Sequence, residues 1–197
     1  MNYKYVQKLI IEAYLPVVET KRHIHLPLKK SRSENDAEHS FSLALIGSAL
    51  AEKLKLDAGK VALYATCHDL LEIYSGDTSL WDKKGYETKK ERERVAILRI
   101  KKEFNNFPLL YNTIKKYESF FDEEARFVYA LDKLLPLIIH VQANGQFYHQ
   151  NNITFKKFSA KIKEVRVKVA KHEKVLEWFD QAIQYTIKNK EMLFINK

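Results

Sequence analysis

Two histidines and two aspartates, each set among apolar residues, carry the strongest chemical signal in the chain. His39 lies in Ala37-Glu38-His39-Ser40, and His68 and Asp69 stand together in Cys67-His68-Asp69-Leu70-Leu71-Glu72. Asp132 lies in Ala130-Leu131-Asp132-Lys133-Leu134-Leu135. At helical spacing Leu43, Ile46 and Leu50 share the face of His39, Val61, Ala65 and Glu72 that of His68, and Val128, Leu135 and Ile139 that of Asp132. A lone inward-facing histidine is ordinary core. A buried aspartate is not, because an unpaired carboxylate in apolar surroundings is strongly destabilising and needs a cation. Lys133, the next residue, is expected to point elsewhere. Two nitrogen and two oxygen donors from three segments therefore predict one divalent ion (Co²⁺, Mn²⁺, Zn²⁺, Ni²⁺, Fe²⁺ or Mg²⁺) held by His39, His68, Asp69 and Asp132. Four protein ligands leave positions open for water and substrate, where such an ion polarises a phosphoryl oxygen and acidifies water.

The elements that must position these residues are helical. Hydrophobic periodicity predicts helices over 3–18, 36–56, 58–74, 88–105, 108–118, 122–147, 154–171 and 173–190, with Asp57, Asp122 and Ser33 or Asn35 as caps. The stretches 19–35 and 75–87 read as irregular and flank the candidate site. The expectation is an all-α fold, a single-domain helical bundle over 1–197 with its core at about 20–145 and an N-terminal helix and C-terminal helical extension around it.

Composition narrows the chemistry. Five isolated glycines leave no phosphate-cradling glycine loop, which argues against P-loop and dinucleotide-binding sites. A single cysteine excludes an internal disulfide, and Cys67 is expected to pack structurally beside His68. No apolar run reaches the length of a membrane span and the first residues lack a signal-peptide pattern, so a cytoplasmic location is expected. A formal charge of +9 favours anionic partners. The lysines around Lys161-Ile162-Lys163 read as the solvated face of an amphipathic helix, with nucleic-acid binding the lesser alternative.

The ordered set His39, His68-Asp69 and Asp132 resembles that of the HD-domain phosphohydrolases. The fuller string Arg32-Ser33-Glu34-Asn35-Asp36-Ala37-Glu38-His39-Ser40, with His68-Asp69-Leu70-Leu71-Glu72 and Gly76-Asp77, looks like one branch, the bacterial 5′-deoxynucleotidases of YfbR type. The resemblance covers about residues 20–145. It implies a helical hydrolase with one divalent metal, commonly a homodimer, that converts (deoxy)nucleoside 5′-monophosphates to nucleoside and phosphate. The same site could serve a cyclic, signalling or triphosphate nucleotide, and a non-catalytic nucleic-acid module is the rival of another class.

Roles follow from position and resemblance together. Glu72, one turn after His68, is assigned the proton of the attacking water. Asp77 would orient that water, protonate the leaving 5′-oxygen or hold the substrate. Arg32 would clamp phosphate oxygens. The branch carries an arginine followed by tryptophan upstream; here Arg22-His23 stands a few residues off that register, without the tryptophan. His23 and His25 read as solvent-facing, and His140, His149 and His172 lack a partnered spacing and stay outside the site.

Overall fold

The computed structural model describes residues 2–28 and 32–195. Among them the chain is helical apart from one two-stranded sheet, β1 (Lys21–Leu26) paired with β2 (Arg32–Asn35). Two compact units result: one from residues 1–23 and 34–121, the other from 24–33 and 122–197.

The first unit begins with α1 (Tyr3–Leu9) and α2 (Leu15–Glu19), joined by a wider turn at Ile10–Tyr14. There Leu15 N–H reaches back to the Ile10 carbonyl, five residues away, directly before Pro16, which has no N–H of its own to give. α3 (Asp36–Leu54) starts at Asn35, whose side chain accepts from Glu38 N–H while Glu38 accepts from Asn35 N–H. α4 (Ala58–Cys67) is capped by Asp57 and packs along α3. α5 (Glu72–Ser75), α6 (Lys83–Glu103) and α7 (Pro108–Glu118) follow. Cys67, Leu70, Leu71, Ala96, Ile100, Phe104 and Ile114 form a buried core under them. Each of the leucine, isoleucine and phenylalanine side chains contributes roughly 1.5–3 kcal/mol by leaving water.

The expected continuous helix over 58–74 breaks. α4 ends at Cys67, and His68–Leu71 form tight turns in which Leu70 N–H bonds the Cys67 carbonyl and Glu72 N–H the Asp69 carbonyl. Glu72 then opens α5. On α3 the buried stripe is Asp36, His39, Leu43, Gly47 and Ala51, while Ile46, expected on it, is 38% exposed.

The second unit is built on α8 (Glu123–Gln142), capped by Asp122. α9 (Gln146–Gln150), α10 (Phe155–Val169), α11 (Glu173–Lys188) and α12 (Lys190–Leu193) complete it. Between α8 and α9, Gly145 has φ +68°, and a Cβ there would lie 2.1 Å from the Leu193 carbonyl oxygen, so only glycine lets the two segments approach. Tyr148 stacks on Phe194 with ring centres 4.7 Å apart, and Phe158 closes the cluster. The lysine-rich α10 has the solvated face expected of it: Lys161 pairs with Glu164 and Arg166 with Asp180. No helix among the described residues is long and apolar enough to cross a membrane.

Candidate metal centre

The first unit brings His39, His68 and Asp69 together. Asp69 Oδ2 lies 3.0 Å from His68 Nε2 and 3.8 Å from His39 Nε2. Transition-metal ions hold such donors at about 2.0–2.2 Å, which spaces neighbouring ligand atoms about 3–3.6 Å apart. The three atoms thus lie where one ion can reach them all, within 4.8 Å of one another. Both imidazoles are buried.

Backbone and side-chain contacts aim the rings. His68 Nδ1 lies 2.9 Å from the Ala65 carbonyl, one turn back on α4, so Nδ1 carries the proton and Nε2 turns its lone pair toward Asp69. His39 Nδ1 lies 3.2 Å from Oε1 of buried Glu34, on the side of the ring away from Asp69. The two rings are 5.3 Å apart, tilted by 50°. The turn after Cys67 explains how consecutive residues serve one place: the helix stops at His68, and Asp69 leaves the helical path.

Carboxylates crowd the same region. Arg22 on β1 reaches into them, with Nη1 2.6 Å from Asp69 Oδ2, 3.2 Å from Asp36 Oδ1 and 3.8 Å from Glu72 Oε2, and Nε 3.3 Å from Glu34 Oε1. Four carboxylates face one guanidinium, so if all ionise negative charge is left over. Burial, then the charge of Asp69, pushes the Asp36 carboxyl up to about 7 against the pull of Arg22. Burial, then Asp69, likewise holds Glu72 well above the usual carboxylate range. A divalent cation suits this surplus, and the two-imidazole, one-carboxylate set fits one of the borderline ions.

Glu72 is buried at the start of α5, beside the donors, with Lys89 Nζ 3.9 Å from its Oε1. Asp77 lies half-buried in the loop after α5, and its charge acts on both Asp36 and Glu72. Arg92 on α6 ties that loop down through the Ser75 carbonyl, the Thr78 hydroxyl at 2.6 Å and the Gly85 carbonyl at 3.0 Å. Cys67 is buried, its thiol pushed up to about 11 by burial alone.

Asp132 and Arg32 belong to the second unit. Asp132 is buried on α8, as expected, but Lys133 does not point elsewhere: its Nζ lies 2.5 Å from Asp132 Oδ2. The flexible lysine stem lets the adjacent ammonium fold back onto the carboxylate. Arg32 is exposed at the start of β2, where Nη1 donates to the Ser33 carbonyl at 3.2 Å. The histidines left outside the site have local roles: His140 stacks on Phe147 at 4.6 Å, His149 meets the Met192 carbonyl at 3.1 Å, and His172 caps α11. His25, expected to face solvent, is half-buried with its Nδ1 enclosed.

Arg22, Glu34 and Asp36 stood in the strings weighed for the resemblance but were given no role in the site. Charges around a short strand and the first turn of a helix are usually solvated, so their types alone did not predict burial.

Residues 18–175 match a family model described as HD domain, a match that runs through both units. The chain is similar in structure to a predicted metal-dependent phosphohydrolase from Magnetospirillum magnetotacticum MS-1. The two share 26% identity and a TM-score of 0.79 over 95% of this chain and 93% of that one. A conserved hypothetical protein from Pyrococcus furiosus shares 26% identity over 68% of this chain and 84% of that one, with a TM-score of 0.46. No curated protein matches the chain.

Proposed function

The chain belongs to the HD-domain family, and we propose that it is a metal-dependent phosphohydrolase that converts (deoxy)nucleoside 5′-monophosphates to nucleoside and phosphate. The observation that carries this reading is the convergence of His39, His68 and Asp69 donors beside a buried excess of carboxylate. The likeness to the Magnetospirillum protein, a predicted metal-dependent phosphohydrolase, supports the reaction class. The nucleotide substrate rests on the Glu34-Asn35 to His39 string with His68-Asp69, Glu72 and Asp77. The working unit is one HD domain, and a homodimer is its expected assembly.

His39, His68 and Asp69 would hold the ion. A divalent ion there supplies Lewis-acid polarisation of the phosphoryl group and lowers the pKa of water. Glu72, with its carboxyl raised by burial, takes the proton of the attacking water. The water oxygen would form a bond to phosphorus while the bond to the 5′-oxygen breaks, and the proton taken up by Glu72 would pass to that leaving oxygen, which Asp77 would help to position. Arg22, inside the site, is the cation offered to the remaining phosphate oxygens.

The test is phosphate release from a panel of nucleoside mono-, di-, tri- and cyclic phosphates with Mn²⁺, Co²⁺ or Mg²⁺. Nucleoside 5′-monophosphates are expected to turn over best, with no turnover after chelation. Release from other nucleotides alone would move the substrate; release from none would remove the enzymatic reading.

A further inference from the structure

Asp69 belongs to two donor groups. Besides the histidine side, Asp36, Asp69 and Glu72 bring carboxylate oxygens within 4.8 Å of one another. Asp36 Oδ2 and Glu72 Oε2 are enclosed with no hydrogen-bond partner, on residues 0% and 6% exposed. An all-oxygen set with spare lone pairs suits a hard cation such as Mg²⁺ or Mn²⁺.

The place is held by a cation already. Arg22 Nη1 lies between the Asp69 and Asp36 carboxylates, 2.6 and 3.2 Å from them, and 3.8 Å from Glu72. A guanidinium is planar and presents its donors in a fixed fork, so it cannot satisfy carboxylates arranged around it in three dimensions. The two oxygens that lack a hydrogen bond, Asp36 Oδ2 and Glu72 Oε2, are the remainder of that mismatch. It also brings a single positive charge to a group built from several negative ones.

We infer that Arg22 holds the position of a second divalent cation. With Arg22 in place the centre takes one ion; with Arg22 withdrawn, Asp36, Asp69 and Glu72 would hold a second Mg²⁺ or Mn²⁺. Paired ions of this kind sit about 3.5–4 Å apart and share the two ends of a phosphoryl transfer. Arg22 lets one-ion chemistry proceed on a framework with the carboxylates for two. The inference rests on the metal-centre reading above only for the first ion.

The experiment is metal content after equilibrium dialysis against Mn²⁺, and separately Mg²⁺, for the wild type, Arg22→Met and Arg22→Met/Asp36→Asn. The expected counts are about one ion per chain, about two, and about one again. A wild-type count of zero would sink the metal-centre reading; an Arg22→Met count no higher than that of the wild type would overturn this one. Removing Arg22 leaves buried carboxylates uncompensated, so Arg22→Met is also melted with and without Mn²⁺. Its Tm should rise more with the ion than that of the wild type. A variant that stays unfolded in millimolar Mn²⁺ counts against the inference, because an ion in the vacated place would restore the lost charge.

Discussion

The Arg92 guanidinium donates to the Thr78 hydroxyl across 2.6 Å, and the same group reaches the Ser75 and Gly85 carbonyls. One side chain of α6 thus fixes both ends of the loop that carries Asp77. Arg92→Ala should lower kcat by about tenfold through misplacement of Asp77, with metal content unchanged. Limited trypsin digestion should cut near Lys84 sooner in the variant. Unchanged kcat would detach this loop from catalysis.

Asp69→Asn replaces a charged donor by a neutral amide at the point where both donor groups meet. Phosphate release should fall by at least about 10²-fold, and the bound ion should be lost on dialysis. Retention of both would place the metal elsewhere.

Glu72→Gln keeps the shape of the side chain and removes its basicity. A loss of about 10²–10⁴-fold in kcat is expected, with the first ion still bound. Full activity in this variant would remove Glu72 from proton transfer.

His140 supplies an acid limb to stability in the second unit. Burial, then the nearby His25, lowers its pKa to about 4 from an ordinary 6.5. Above pH 6.5 the imidazole is neutral folded and unfolded, so it costs nothing. As pH falls from 6.5 to 4 the unfolded chain takes up the proton that the folded chain refuses, and stability drops by up to about 3 kcal/mol. His140→Leu should flatten this part of the curve, as measured by urea unfolding at pH 7 and pH 4.5.

The Cys67 thiol is buried, with its pKa pushed up to about 11. Thiol reagents at pH 7.5 should label it only at the rate of unfolding. Rapid labelling of folded protein would show an open path to the site.

Much of this was legible in the sequence because helical periodicity averages over many residues. Asp57, Asp122 and Asn35 cap the helices they were expected to cap, and the helices over 108–118 and 173–190 lie where expected within a few residues. The hairpin within 19–35 was missed, since two strands of six and four residues carry too little alternation to register. The break at His68 was hidden because Leu70 and Leu71 keep the apolar pattern going through the turn.

At the site, residue type pointed to His39, His68, Asp69 and Glu72, because imidazoles and acids in apolar surroundings stand out. Arg22, Glu34 and Asp36 were named only within the strings weighed for the resemblance and given no role, because their burial follows from strand pairing and a helix start far apart in sequence. Lys133 went the other way: adjacency on a helix argued for divergence, and the long side chain overrode it.

Gly145 makes the ending of the chain answerable to a position far upstream. Any larger residue there must drive away Leu193, and with it Phe194 from its seat on Tyr148. The last turn works as a clasp whose keyhole is a missing methyl group. Gly145→Ala would therefore show itself as fraying of α12 before any loss of helix elsewhere.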